Sequence, residues 1–403
     1  VQLRYNFRVY PTPDQREALA RAFGCARVVF NDGLRARQDA HAAGLPYISD
    51  GDLSKQVITE AKKAPGRAWL CEVSAVVLQQ ALADLNSAYR NFFASVSGKR
   101  NGRKVAPPRF RSRKDSRQAV RFTRNAGFAV TAGRKLRLPK IGDVPVRWSR
   151  ALPSEPSSVT VVRDAAGRYF ASFVVDAGHE SLPETTGEVG IDLGLTHFAV
   201  LSDGRKVTNP RILRRAQRRL RKAQRALSRK QKASANRAKA RARVARLHAR
   251  VADTRRDHAH KLSTALIRDN QAVYTEDLSV AGLGRSRLAK SVHDAGWAQF
   301  VAMLEYKAKR YGRTFGRIGR FEPTSQVCSV CGAKDGPKPL NVRDWTCPAC
   351  GTVHDRDVNA ARNVLAAGRA DRVNACGAQV RPELVPAPRR EAGTLSPPTP
   401  ARV

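Results

Sequence analysis

Apolar and polar residues alternate over residues 3–10, the pattern of a strand with one buried face. Thr12 then stands as a helix N-cap with Pro13 at the first helical position. Helical spacing runs over residues 15–37, with Ala18, Leu19, Ala22, Phe23, Val28, Val29 and Phe30 on the apolar side. Further helices are predicted at 53–62 and 73–93, so residues 11–97 form a helical block. At Ser97 the chain turns Gly-, Pro- and Arg-rich, which reads as an exposed basic loop entering a strand. Short β-signals follow at 119–123, 128–131, 136–139, 144–148, 158–162 and 169–175, with turn residues between them. They suggest a small barrel or sandwich, which the strand at 3–10 could join, making the helical block an insertion.

A different pattern begins near Glu188. Residues 188–207 read as strand, tight turn, strand, turn, strand. Residues 212–268 read as continuous, very basic helix, followed by a strand at 272–276, a helix at 294–311, a strand at 313–318 and a helix at 358–367. Alternating strands and helices indicate a mixed α/β sheet. From about residue 368 the chain is rich in Pro, Arg and Ala without periodicity, and is read as disordered.

Charge narrows the function classes. The 403 residues carry 74 Lys+Arg against 34 Asp+Glu, a formal net charge of +40. A hydrophobic content of 42% is too high for a disordered basic protein, and no apolar run reaches the ~18 residues of a membrane helix. No basic segment followed by an apolar stretch opens the chain, so no secretory signal is expected. Such a charge calls for a polyanion, and nucleic acid is the obvious one. Arg outnumbers Lys 55 to 19, which suits phosphate forks and base stacking, although a GC-rich genome gives the same bias.

The cysteines carry the strongest local signal. Cys328-x-x-Cys331 and Cys347-x-x-Cys350, fifteen residues apart, have paired-knuckle zinc spacing. Four thiolates close a tetrahedral structural site and leave no position open for catalysis. Gly332 and Gly351 follow the knuckles, where a turn needs positive φ. Cys25 and Cys71 are expected in the core, Cys376 is expected to be inert, and His354 is not expected to act as a fifth ligand.

Three acids form the second signal. Asp192 lies in the apolar strand around Gly190-Ile191, Glu276 ends the apolar run 272–275, and Asp357 opens a helix. A carboxylate in an apolar strand is costly unless paired or metal-bound. Carboxylates from two strand positions and a helix start can converge on Mg²⁺, which prefers oxygen ligands. Two ions about 3.5–4 Å apart would serve phosphodiester hydrolysis. Taken singly, each acid is more often a cap, a turn residue or an ion-pair partner. Asp203, Asp277 and Asp355 lie close by, and spacing alone does not choose Glu276 over Asp277 or Asp357 over Asp355.

These motifs (GIDLGLTHFAVLSDG at 190–204, YTEDLSVAGL at 274–283, TSQVCSVCG at 324–332, CPACG at 347–351 and HDRDVNAARNVL at 354–365) resemble the TnpB (OrfB) family of insertion-sequence proteins, related to type V CRISPR effector nucleases. FRVYPTPDQ, FNDGL and PRFRSRKD in the first third are similar as well, and the resemblance covers about residues 1–380. It implies a RuvC-type nuclease domain of RNase H-like fold (184–320 and 356–368) with an inserted zinc ribbon (321–355). It also implies a wedge β-barrel (1–10 and 98–183) interrupted by a helical recognition domain (11–97), with 369–403 as a tail. The family's acids fall on Asp192, Glu276 and Asp357, which resolves the neighbouring decoys. The implied cofactors are structural Zn²⁺ and catalytic Mg²⁺. The implied partners are a guide RNA from the element's end, double-stranded target DNA and a separate transposase, with no membrane. The implied setting is the bacterial cytoplasm, at the nucleoid.

The physical reading agrees. Residues 211–250 hold 17 Lys/Arg and no acid, more cations than i,i+4 pairs can satisfy, so phosphate contact is expected of Arg214, Arg218, Arg221 and Arg225. In the loop 99–124, Arg109, Arg111, Arg113 and Lys114 are expected on phosphates, with Phe110 and Phe122 stacking on bases. An RNA-guided, Mg²⁺-dependent DNA endonuclease is the leading expectation. A DNA strand transferase would use the same acids, and a non-catalytic repressor or RNA-stabilising protein would use the same basic helix.

Overall fold

β1 (Gln2–Val9) forms where the alternation placed it, burying Tyr5, Phe7 and Val9. Thr12 and Gln15 then close a capping box: Gln15 N–H donates to the Thr12 hydroxyl at 3.3 Å and Thr12 N–H to Gln15 Oε1 at 3.1 Å. That box starts α1 (Pro13–Ala42). The expected helix at 53–62 is instead α2 (Asp50–Ser54) running into a π-turn (Lys55–Glu60) and 3₁₀ turns (Ala61–Lys63, Pro65–Glu72). The wider turn buries both neighbours Val57 and Ile58, which α-spacing would separate by 100°. α3 (Ala75–Val96) packs on α1, with Gly33 leaving room: a Cβ there would stand 2.9 Å from Leu82.

The computed structural model describes residues 2–178, 180–339 and 341–374. They fall into two compact units, 2–178 with 235–246, and 180–234 with 247–374. In the first, β2 (Gln118–Thr123), β3 (Ala129–Val130), β4 (Lys135–Leu138), β5 (Gly142–Arg147), β6 (Ser158–Arg163) and β7 (Tyr169–Asp176) join β1 in one antiparallel sheet of order β2-β6-β7-β1-β5-β4-β3. β1 pairs with β7 along its whole length and with β5 at its end. A strand from before the helices thus sits inside a sheet made after them, and the helical block is an insertion. Phe7, Trp148 and Phe173 stack at 4.7–5.9 Å in a core shared with Leu19, Phe30, Leu34 and Leu82.

The second unit is built on a mixed sheet, β10-β9-β8-β11-β12. Its strands are β8 (Glu188–Asp192), β9 (His197–Leu201), β10 (Lys206–Thr208), β11 (Ala272–Glu276) and β12 (Thr314–Ile318). β8, β11 and β12 are parallel neighbours; β9 and β10 run antiparallel. The basic helix expected over 212–268 is two helices, α4 (Ile212–Ser228) and α5 (Ala235–Asp269). The break falls on a polar stretch with no apolar residue to bury except Ala233, whose φ of 69° is left-handed. α6 (Val280–Leu283) and α7 (Ala289–Ala295) lead to α8 (Trp297–Tyr311), expected from residue 294 but started anew after Gly296 at φ 73°. β13 (Asp344–Thr346) and β14 (Val353–Asp355) make a hairpin, and α9 (Arg356–Asn374) follows. α9 passes its expected end at 367 and enters the segment read as a tail, because Arg369 and Arg372 both pair with Glu188. The rest of that segment, with Cys376, lies outside the described residues.

Candidate active site and metal centre

β8 ends on Asp192 and β11 on Glu276. Thr275 stands opposite Ile191 in the parallel ladder, so both acids leave the sheet at one carboxyl edge. α9 brings Asp357 to them in its first turn. The helix can lie this close because β8 carries Gly190: a Cβ there would stand 2.2 Å from Ala361 O and 2.5 Å from Leu365 N. Gly368 and Gly316 both close on Tyr274, which fills the other end of the contact.

Asp192 titrates far above a normal carboxyl, pushed up to about 8. Burial is the largest cause, and the charges of Glu276 and Asp357 add to it, partly offset by Arg356 and Arg343. No hydrogen bond reaches the Asp192 carboxylate from the described residues. A half-buried acid beside two other acids, with no donor among the described residues, is relieved by a proton or by a cation. Glu276 Oε1 accepts from the Thr324 hydroxyl at 2.6 Å. Arg343 lies 3.4 and 3.5 Å from the two oxygens of Asp357 and 3.4 Å from Thr196 Oγ1. Sequence reasoning did not single out Thr324 or Arg343: Thr324 opens the TSQVCSVCG motif but was overshadowed by its cysteines, and Arg343 lies in no motif. The three carboxylates are not drawn together as tightly as the cysteines, the set whose ligand atoms all lie within 4.8 Å of one another among the described residues.

The neighbouring acids are occupied elsewhere. Asp203 pairs with Arg205 in a turn, and Asp277 with Arg320 at 2.5 Å. Asp355 caps α9, accepting from Asp357 N–H and Val358 N–H at 3.1 and 2.9 Å, while its other oxygen holds Lys206 at 2.5 Å.

Cys328, Cys331, Cys347 and Cys350 meet on two matching turns. Gly332 N–H donates to Cys328 O and Gly351 N–H to Cys347 O, each at 2.9 Å, with both glycines left-handed at φ 75° and 70°. Cys328 to Cys350 and Cys331 to Cys347 are each 3.7 Å between sulfurs. Tetrahedral zinc with bonds of about 2.3 Å places sulfurs about 3.8 Å apart, which these two pairs match, and all four sulfurs lie within 4.8 Å of one another. His354 is buried and lies 3.0 Å from Cys328 Sγ through Nε2, beside the sulfur cluster as a hydrogen-bond partner. Cys25 is buried as expected, whereas Cys71 is exposed, because its segment is a 3₁₀ turn that faces Leu70 inward instead.

The basic residues divide. Arg214, Arg218, Arg221 and Arg225 are exposed, and steps of four, three and four place them on one face of α4, while Leu220 and Ala223 are buried. None of the four makes an ion pair among the described residues. In the earlier loop Arg109, Arg113 and Lys114 are exposed. Arg111 is turned inward instead, 3.8 Å above the Phe30 ring and 3.2 Å from Asp84. Phe122 is fully buried in the sheet and does not reach a base; Phe110 is half exposed.

Known proteins place the chain. A family model described as "Probable transposase" (OrfB_IS605) matches residues 172–287, and one described as "Cas12f1-like, TNB domain" matches 297–364. A relative from Streptomyces pristinaespiralis, "Putative RNA-guided DNA endonuclease", is 48% identical across 95% of this chain and 93% of its own. The chain belongs to the TnpB (OrfB) family. A second relative, "Putative RNA-guided DNA endonuclease InsQ" of Escherichia coli (strain K12), is 32% identical over 94% of both chains. A third model, "Helix-turn-helix domain", matches residues 1–45, where this family member has one strand and one long helix. Among solved structures, that of the Cas12f1-sgRNA-target DNA complex aligns with a TM-score of 0.54 at 13% identity, covering 86% of this chain and 82% of that one, a likeness of fold. No single described helix is long and apolar enough to cross a membrane.

Proposed function

We propose that the protein is an RNA-guided, Mg²⁺-dependent DNA endonuclease encoded by a transposable element. The observation that carries this is the common sheet edge of Asp192 and Glu276 with Asp357 in the first turn of α9 beside it, Asp192 being raised in pKa by burial first and by the other two acids next. The five-stranded mixed sheet β10-β9-β8-β11-β12 supports reading the second unit as an RNase H-like (RuvC) domain with an inserted cysteine ribbon, and the first unit would then serve as wedge and recognition domains. The relatives' names and the Cas12f1 complex support the same partners here, a guide RNA and target DNA.

The donor set suits Mg²⁺, since it offers hard carboxylate oxygens, one of them without a hydrogen bond. Asp192 and Asp357 would hold the metal, and Glu276, steadied by Thr324, orients the attacking water. Bound Mg²⁺ supplies Lewis acidity to the phosphate and acidity to the water. Arg343, held between Asp357 and Thr196, would place a positive charge where an incoming phosphate approaches. The exposed arginine face of α4 contacts phosphate backbone, and base pairing supplies the sequence specificity. The four-cysteine centre, filled with Zn²⁺, holds the ribbon rather than taking part in chemistry.

The test is to sequence the RNA that copurifies and offer the complex a DNA matched to it. Metal-dependent cutting that Asp192→Ala abolishes, with RNA and target binding retained, is the expected result. Cutting by the alanine variant would remove the site. Element ends joined to new DNA would indicate strand transfer instead.

A further inference from the structure

Two motifs from the first third of the chain, FNDGL at 30–34 and PRFRSRKD at 108–115, meet in the first unit. Residues 104–112 have no regular secondary structure, and no strand pairs with them. Asn31, on α1, pins them instead. Its Nδ2–H donates to Arg111 O at 2.9 Å, and its Oδ1 accepts from Arg111 N–H at 2.8 Å. One side-chain amide thus satisfies both backbone groups of Arg111, as a neighbouring strand would. The Arg111 guanidinium lies 3.8 Å above the Phe30 ring and 3.2 Å from Asp84 on α3, and Asp84 also takes Arg121 of β2. A planar guanidinium can stack and fork at once, which an ammonium cannot. Beyond Arg111 the chain turns: Asp115 N–H donates to Ser112 O at 3.2 Å, and the Asp115 carboxylate accepts from Ser112 N–H at 3.0 Å. Asp115 is the only acid in residues 97–117.

What the anchor leaves outside is cationic and aromatic. Arg109, Arg113 and Lys114 are exposed and make no ion pair among the described residues. Phe110 is half exposed. Arg35 stands 5.7 Å from the centre of its ring, and on α1 it follows Asn31 by one turn, so anchor and stacking partner share a helix face.

We propose that Arg111 is a positioning residue: with Asn31 it presets this loop so that Arg109, Arg113 and Lys114 meet phosphates and Phe110 receives an unpaired base. The inference rests on the nucleic-acid partners proposed above. A loop ordered before the encounter does not have to be ordered during it, which raises affinity without a new contact. The ligand chemistry is a phosphodiester backbone with a base free to stack, which either the RNA or the DNA can supply. Arg111 itself touches no phosphate, since Asp84 and Phe30 already occupy its guanidinium.

Asn31 separates positioning from contact, because removing its side chain removes no charge. The full chain is titrated with its copurified RNA, and the RNA-loaded complex with matched duplex DNA, each over a salt series. Arg109→Ala with Arg113→Ala should weaken binding of one of these ligands about tenfold and reduce its slope of log K against log salt by about 1 to 2; the ligand affected identifies the source. Asn31→Ala should reduce the same slope by a similar amount and add nothing in the background of the double variant. Asn31→Ser is the milder replacement should alanine unfold the chain. A slope untouched by the Asn31 variant overturns the proposal, as does an Arg111→Met effect that adds in full to the double variant, which would make Arg111 a phosphate contact. Trypsin gives a readout without ligand: cleavage after Arg109, Arg113 or Lys114 should quicken about fivefold in Asn31→Ala at an unchanged Tm, and equal rates overturn the anchor. If neither ligand binds the unaltered protein, the partner reading fails and takes this proposal with it; if one binds and the Asn31 variant keeps its slope, only the loop assignment fails.

Discussion

Asp192→Asn should abolish cleavage and, in metal-free buffer, make the protein more stable. The folded-state pKa of Asp192, about 8, lies above the ordinary 3.8. Between those values the folded chain keeps a proton that the unfolded chain has lost, so stability falls as pH rises from about 4 to 8. At pH 7 the full shift corresponds to at most about 4 kcal/mol. Solvent reaches part of this side chain, which brings the expected gain to about 2 kcal/mol. For a unit of this size that is a Tm increase of roughly 4–8 °C. Asparagine has the same shape, no charge, and no donor to lose, since Asp192 accepts no hydrogen bond among the described residues. The assay is thermal unfolding of both proteins in EDTA at pH 4, 5.5, 7 and 8, then in Mg²⁺. The difference should vanish near pH 4 and grow toward pH 8, and Mg²⁺ should narrow it by stabilising the unaltered protein alone. A flat difference across that range, or cleavage by the variant, would refute the reasoning.

Gly190→Ala places a Cβ against backbone at 2.2 Å and should cost about 3 kcal/mol, lift α9 from β8 and silence cutting; unfolding and cleavage assays on one preparation check it. Cys347→Ser should drop zinc from one ion per chain to none by elemental analysis and lower the Tm. Arg218→Ala with Arg221→Ala should weaken nucleic-acid binding across sequences and reduce the slope of log K against log salt by about 1 to 2. Lys307, buried against His260 O, Ser263 and Thr264, has its pKa pulled down to about 8 by burial. The unfolded chain binds the extra proton between pH 8 and 10.5, so the stability of the unaltered protein relative to Lys307→Met should rise over that window by roughly 3 kcal/mol; parallel curves would count against it.

What the sequence revealed followed from period and spacing. The strand at 3–10, the helix N-cap at Thr12 and the two cysteine knuckles are local patterns, and each formed in place. Breaks in uniform composition were hidden. Nothing in an unbroken basic run marks Arg229 as a helix end, because helix propensity there is even and the break answers to what packs on either side. Exposure was likewise hidden for aromatics: Phe122 sits among cations in the chain yet points into a sheet, since the strand's alternation governs its side and its neighbours' charges do not. The acids were readable as candidates only. Choosing Asp357 over Asp355 from the residues alone needed the knowledge that Asp355 caps the helix its neighbour opens.

The ribbon's position explains why the acids depend on it. Glu276 ends a strand and Asp357 begins a helix, and the insertion runs between their two elements in the chain. Its first turn bonds to both: Thr324 Oγ1 to Glu276, and Thr324 O to Asn363 Nδ2 at 2.7 Å. Val327 O accepts from Asn359 and Asn363 at 2.8 and 2.7 Å, and Ser329 N–H donates to Asn359 Oδ1 at 2.8 Å. Asn359 stands two residues after Asp357, and Ser329 one after Cys328. A cysteine knuckle and the helix that carries Asp357 therefore share hydrogen bonds over a few residues. Loss of the ion would loosen Cys328, then the Ser329–Asn359 bond, then the seat of Asp357. The cysteine segment thus bonds both to Glu276 and to the helix that carries Asp357, and so fixes one against the other.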